Sequence, residues 1–332
     1  MASIILTHLG EDSPFYIKDC VHQIRLWNIA SSTKIYVILE PCHRDSEFWI
    51  NLSITYNVNL IFTDALPTTP HHEYFKNHFK GDINFRKGYW KHVKERFFYI
   101  EELILRDSLE HVISMEYDVM LYTSANTIIN KLKASHQTLR IVRDNEQRGH
   151  PAFMYIPSVK EINHFNTFLV SIIHTPLEDM QSLAAYADTY KEAVHYLPVI
   201  TQDRNYFIRD RISKMGHTSR DPYFLSEDSE HFGFLFDSLV VGQWVGGIDS
   251  RNVGGNKIAK YENESSLYNI NEMNFIWKKD PNTFLWQPHL DNSLLIMIHV
   301  HSKSLISFSS DRPDYPKDDY DVSSVYKKLL PN

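Results

Sequence analysis

The sequence predicts an α/β fold built on a mostly parallel, doubly wound sheet, and three observations predict it. The first half alternates short apolar runs with stretches whose apolar residues recur at helical spacing. Alternation of this kind builds βαβ units, which place a ligand beyond the carboxyl ends of the strands. The 332 residues are 43% hydrophobic and 13% aromatic, enough to bury a sizeable core. The longest apolar run, Leu294 to Ile298, is far too short to span a bilayer.

The elements follow in order. SIILTHL is the first strand and ends in a loop at Gly10. FYIKDCVHQIRLWN is a helix, KIYVILE the second strand, EFWINLSITYN the second helix, and NLIFTD a third strand ending at Asp64. LPTTPHHEYF, rich in Pro and His, reads as a loop. KGYWKHVKERFFYIEELILRDS is an amphipathic helix that leads into HVISMEYDVMLY, read as one buried strand from His111 to Tyr122. Beyond Tyr122 the pattern loosens. SANTIINKLKA is a short helix, TLRIVRD and PAFMYIP are strands, and KEINHFNTFLVSIIHT is a helix. DMQSLAAYADTYKEAVHYLP is another helix, closed by Pro198. Gly233 to Gly255 reads as an irregular loop. Five of the chain's 11 Gly fall between Gly242 and Gly255, where backbone must come close to something. NSLLIMIHVHSK is the last strand. With no internal repeat or linker, the expectation is one domain over residues 1–310 and a polar tail over 311–332.

Composition narrows the function classes. The formal net charge of -7 argues mildly against a protein that mainly grips nucleic acid, since phosphate neutralisation needs a basic face. A local basic groove is still compatible with that total, so nucleic acid stays a weaker alternative partner. Two cysteines, Cys20 and Cys42, are too few for a disulfide scaffold and read as free thiols in a reducing compartment. The N-terminus lacks the basic region and apolar length of a signal peptide. The expected location is cytoplasmic, with no membrane span.

Three constellations carry chemistry. Glu116 and Asp118 lie two apart in an apolar run, and on a strand such residues share a face. Two hard oxygen ligands there suit a divalent cation, Mn²⁺ or Mg²⁺, that also grips a diphosphate. The bland reading is a solvated strand end, but acids inside such a run are costly without a cation or strong donor. In IMIHVHSK, His299 and His301 share a face, joined by Lys303 if the strand continues. Imidazole is a ligand for Mn²⁺-type metals, and an ammonium neutralises phosphate oxygens. Asp237 with Gly242, Gln243, Gly246 and Gly247 is the third. Backbone N–H groups of such a loop can reach sugar or phosphate oxygens, and an aspartate there can bind sugar hydroxyls or act as base.

Asp179 and Asp203 compete with Asp237 for a catalytic carboxylate, although Asp179 also reads as a helix cap with Gln181. Arg96 is a candidate phosphate contact or else a solvated helix charge. For a nucleotide base, Thr7, His8 and Gly10 of the first loop and Asp64 at the third strand's end are the positional candidates. No GxGxxG follows the first strand, and no P-loop, GxSxG elbow or CxxC pair occurs, so those chemistries lose support.

ERFFYIEELI, HVISMEYDVMLY, FDSLVVGQWVGGIDSRN and IHVHSK, in that order, resemble blocks of a group of bacterial and viral GT-A glycosyltransferases. The likeness covers most of the chain, from the first strand to His301. EYD stands where that family writes DxD, with Glu116 in place of the first Asp as the departure. The resemblance implies a GT-A domain, with about 1–125 as the nucleotide-binding half and 126–310 as the acceptor half and metal-closing strand. It also implies a UDP- or GDP-sugar donor, UDP-sugar favoured, and a divalent metal held by Asp118 and a C-terminal histidine. Transfer would be to an acceptor hydroxyl, on a glycan, by an inverting or a retaining course. The alternatives are a metal-dependent nucleotidyltransferase or phosphohydrolase, and a non-catalytic sugar-binding protein on the same fold.

Overall fold

A computed structural model of the chain describes residues 1–82, 84–202, 204–214, 222–252 and 260–311. Asp203, Gly254, Gly255 and residues 312–332 of the tail lie outside the described residues.

The first half holds β1 (Ala2–His8), α1 (Ile17–Trp27), β2 (Thr33–Leu39), α2 (Glu47–Tyr56), β3 (Val58–Phe62), α3 (Pro70–His78), α4 (Tyr89–Asp107), β4 (Val112–Met115) and β5 (Val119–Leu121). Then come α5 (Ala125–Lys133), β6 (Leu139–Asn145), β7 (Arg148–Ile156), α6 (Val159–Ser171), α7 (Asp179–Thr189), β8 (Val194–Tyr196), α8 (Arg209–Lys214), α9 (Ser229–Phe232), β9 (Phe234–Leu235) and α10 (Val240–Gly246). The chain closes with β10 (Phe275–Lys279), β11 (Trp286–Leu290), β12 (Ser293–Leu295) and β13 (Met297–His299).

The main sheet runs β3-β2-β1-β4-β7-β6-β8. It is parallel from β3 to β4, antiparallel on both sides of β7, and parallel again between β6 and β8. The fold is therefore α/β with a mostly parallel sheet flanked by helices. Ile4, Ile5 and Leu6 of β1 are fully buried, as a central strand covered on both faces requires. One contiguous hydrophobic core runs from Ala2 to Phe308. The strand order reverses direction beside β1, with β2 on one side and β4 on the other, so a ligand crevice is expected there. Among the described residues no helix is long and apolar enough to cross a membrane.

Several local readings need correction. LPTTPHHEYF is half helix, because Thr69 caps α3 by accepting from the His72 N–H (3.3 Å) and Pro70 opens it. The helix expected to reach Pro198 stops at Thr189, and the chain re-enters the sheet as β8 against β6. The Gly-rich segment contains the helix α10.

HVISMEYDVMLY is two strands. β4 ends at Met115, Glu116 to Val119 form a turn closed by Val119 N–H on the Glu116 carbonyl (3.2 Å), and β5 leaves the main sheet. β5 finds its partner in β13, antiparallel, with His299 opposite Val119. The last strand likewise splits at Ile296, β12 joining β11 and β9 while β13 turns to β5.

Candidate active site

The turn between β4 and β5 sets the site. A straight strand would carry Glu116 and Asp118 along one face. The turn instead crowds both carboxylates at the carboxyl end of β4, beside the end of β1. Pairing of β13 with β5 then brings His299 to the same point. Its Nε2 lies 3.1 Å from Asp118 Oδ2 and 3.4 Å from Glu116 Oε2. Two cations close the arrangement. Lys303, in the turn after β13, donates to Asp118 Oδ2. Arg96 of α4 forks between Glu116 Oε1 and Asp179 Oδ2, 2.5 Å from each. Charge pairs of this geometry are strong because donor and acceptor are both ionised and water is largely excluded.

Asp237 and Gly242 hold this frame from behind. Asp237 is fully buried, its Oδ1 accepting from Val241 N–H (2.9 Å) and its Oδ2 from Gly242 N–H (2.8 Å) and His299 N–H (3.0 Å). It thereby satisfies two N–H groups in the first turn of α10 and ties that helix to β13. Gly242 completes the contact, since a Cβ there would fall 1.9 Å from the His299 carbonyl oxygen. The glycine is required by close approach of two backbones, and Asp237 faces backbone rather than solvent.

The electrostatics follow from burial and partners. Burial alone would raise the Asp118 carboxyl, but the charges and hydrogen bonds of His299 and Lys303 hold it well below its usual range. Burial would lower His299, and Asp118 and Glu116 outweigh it, so the imidazole is raised. Burial raises Asp179, opposed by Arg96 and reinforced by Glu116. Burial also raises Asp237, against its three backbone donors.

Glu116, Asp118 and His299 each offer one ligand atom, all within 4.8 Å of one another. The donor set, two carboxylates and one imidazole, suits a Mn²⁺-like ion. Asp118 Oδ1 is buried and has no hydrogen-bond partner among the described residues, nor has His299 Nδ1. A buried carboxylate oxygen left unmatched is costly, and a cation is the economical explanation.

The other sequence candidates scatter around this centre. His301 falls beyond the end of β13. Its Nδ1 accepts from the Asp249 N–H (3.0 Å) and its Nε2 lies 3.3 Å from Asn252 Nδ2, away from the acids. Burial, with Lys303 and His299 nearby, pushes it down to about 4. His8 reaches the turn from β1: Tyr117 donates to its Nδ1 (3.1 Å) while its Nε2 donates to the Asp12 carbonyl (2.5 Å). Burial pushes His8 down to about 4, so it is a neutral bridge between the β1 loop and the acids' turn.

Thr7 is half-buried with its hydroxyl unmatched among the described residues. Gly10 takes φ +117° and donates its N–H to Glu40 Oε2 (2.6 Å). Gln243 is buried in α10, its Oε1 also unmatched. Asp64 forms an exposed pair with Arg44 (2.7 Å). Asp179 is the first residue of α7, not its cap: Glu178 caps the helix, with the Gln181 side chain accepting Glu178 N–H (3.0 Å).

Two aromatic residues at the site escaped the sequence reading. Tyr117, inside EYD, links the turn to His8. Tyr89 stands seven residues before Arg96, on the same stripe of α4, and that spacing was the available signal. Burial and the nearby Asp179 and Glu116 raise its hydroxyl.

No protein-family model and no curated protein sequence matches the chain. Comparison with solved structures finds distant likenesses. The apo form of mouse xyloside xylosyltransferase 1 matches at 12% identity over 59% of this chain and 85% of that chain, with a TM-score of 0.43. The galactosyltransferase LgtC in complex with donor and acceptor sugar analogs matches at 12% identity over 67% and 81%, TM-score 0.41. The glycosyltransferase GlyE of Streptococcus pneumoniae TIGR4 matches at 11% identity over 69% and 52%, TM-score 0.37.

Proposed function

We propose that the chain is a metal-dependent glycosyltransferase of the GT-A type, moving a sugar from a nucleotide-diphosphate sugar, UDP-sugar favoured, to a glycan hydroxyl. The observation that carries this reading is the unmatched Asp118 Oδ1, buried beside Glu116 and His299 at the strand carboxyl ends where the strand order reverses. Glu116, Asp118 and His299 would hold Mn²⁺ or Mg²⁺. When bound, the ion supplies Lewis-acid stabilisation to the leaving diphosphate.

The chain's own residues do the rest. Lys303 is an ammonium on a flexible stem whose present partner, Asp118 Oδ2, is itself a candidate metal ligand. With a donor bound it would transfer its hydrogen bonds to diphosphate oxygens and stabilise the charge that develops there. Arg96 fixes the Glu116 carboxylate and the Asp179 carboxylate with one planar fork. Asp179, raised by burial, is the better candidate of the described acids to take a proton from an acceptor hydroxyl. Asp237 has both oxygens committed to backbone, so its part is to set His299 in place. A two-metal phosphohydrolase would want a second cluster of ligands, and among the described residues one group of three occurs.

Calorimetric titration with a panel of UDP- and GDP-sugars, with Mn²⁺ and with EDTA, tests the proposal on wild type and Asp118→Asn. Metal-dependent binding of one donor, lost in the variant, is expected. No binding of any donor in the presence of Mn²⁺ sinks it.

A further inference from the structure

We propose that residues 85–90 form an acceptor subsite, an aromatic platform at the mouth of the site on which a saccharide ring of the acceptor lies. This rests on the transferase reading and assigns residues to its second binding site.

The first observation is the cluster itself. Phe85 stacks on Trp90 with ring centroids 5.4 Å apart at 16°, and Tyr89 meets Trp90 at 5.0 Å and 73°. Three large rings packed together would ordinarily seek the core, yet Phe85 is 39% and Tyr89 40% exposed.

The second is how the segment is held. Arg86 (φ 45°), Lys87 (φ 56°) and Gly88 (φ 90°) are left-handed in succession. For the two non-glycine residues such backbone is strained and uncommon. The anchors are on both flanks of the site. Lys87 pairs with Asp12 of the β1 loop (3.2 Å), and Arg86 donates to Asn252 Oδ1 (2.9 Å) and the Arg251 carbonyl (3.3 Å). Asp249 and Asn252 in turn hold His301, next to the candidate ligand strand. The segment therefore bridges the two loops that border the site.

The third is Tyr89. Its hydroxyl lies in the field of Asp179 and Glu116, while two-fifths of the residue faces solvent. One side chain is thus both within the influence of the candidate carboxylates and open to solvent.

A pyranose fits this combination. Its C–H face is apolar and flat, and its rim carries hydroxyls. Amphipathic rings take the face, and carboxylates and a phenol take the rim. A partner protein would need about 800 Å² on each side, well beyond what three rings supply.

The test is saturation-transfer NMR on the full chain with Mn²⁺ and UDP, using lactose, cellobiose, maltose and diacetylchitobiose as probes. Donor binding is measured in parallel by calorimetry, and thermal melts check folding of each variant. At least one disaccharide is expected to bind wild type and to bind about tenfold more weakly to Phe85→Ala and Tyr89→Ala, the size of an aromatic contact. Tyr89→Phe, which keeps the ring, should retain most of that affinity, and Phe85→Ala should keep wild-type donor affinity. The platform is overturned if wild type binds none of the probes, or if both alanine variants bind like wild type. Saccharide binding on these rings without any donor binding would overturn the transferase reading and leave the platform standing.

Discussion

Two places in this molecule hold the same three groups, two carboxylates and one imidazole, in opposite arrangements. Between α3 and α4, His72 Nδ1 lies 2.7 Å from Glu102 and its Nε2 lies 3.3 Å from Glu95. The ring sits between the acids, and each nitrogen is used by one carboxylate. Glu102 also accepts from Thr69 N–H (2.9 Å), Lys91 reaches Glu95 (3.3 Å), and the ring stacks on Phe98. At the β4–β5 turn both acids crowd a single nitrogen of His299. That leaves Asp118 Oδ1 and His299 Nδ1 unmatched, and two further cations are drawn in. Residue types alone do not make a site. Lone pairs that converge on one point do, and in the helix pair they diverge across the ring.

The comparison breaks most readily at His72. His72→Ala leaves two buried acids without their shared partner and should cost about 3–5 kcal/mol, read by urea unfolding. Mn²⁺ affinity of the folded variant should not change; a parallel loss of affinity would mean the two clusters are not separable. Asp118→Asn is the converse. Changing a partner of a metal ligand typically costs 10–100-fold in affinity, so changing a ligand should cost at least about a hundredfold. Titration of free Mn²⁺ by electron paramagnetic resonance measures this directly, and an unchanged affinity in the variant would remove the distinction drawn here.

The same contrast explains what the sequence made legible. The β1-α1-β2-α2-β3 succession is read correctly because β1 and most of β2 are buried on both faces and read as apolar runs, while the edge strand β3 is still marked by Leu60, Ile61 and Phe62. The break at Glu116 was hidden, since Val119, Met120 and Leu121 are as apolar as the residues before it; what changes is the partner strand. Only tertiary pairing of β5 with β13 selects His299 over His301, although HVHSK treats them alike. Asp237 was visible as an aspartate before glycines, but its backbone partner on β13, His299, lies 62 residues away in sequence. The His72 cluster drew no notice because PHHEYF looked like loop, and its acids are spread over two turns of α4.

A smaller effect sharpens the comparison through pH. Burial alone would lower His72, but its hydrogen bonds to Glu102 and Glu95 win, so its folded pKa lies above the ordinary 6.5. A raised pKa stabilises the fold fully below about 6.5, and that stabilisation is lost as pH rises through the folded value. Glu95 is lowered by His72 and Lys91 despite burial, so its share is present above the ordinary 4.5 and lost as pH falls through the folded value. The difference in melting temperature between wild type and His72→Gln should therefore be greatest between these limits and shrink on the alkaline side. A difference that grows with rising pH would show that His72 is neutral in the fold.

The smallest effect expected is at Asp64, which follows β3 as the β1 loop follows β1 and whose carboxylate is paired with Arg44. Its partner Arg44 is half exposed and lies over the Phe62 ring (4.9 Å), so the pair is a surface one. Exposed pairs contribute roughly 0–1 kcal/mol, because side-chain entropy and screening offset the attraction. Asp64→Asn should change stability by less than about 0.5 kcal/mol and leave donor binding untouched. If donor affinity falls instead, the nucleotide extends past β2 to the edge of the sheet. His8 and Gly10 would then be the middle of the binding surface and no longer its border.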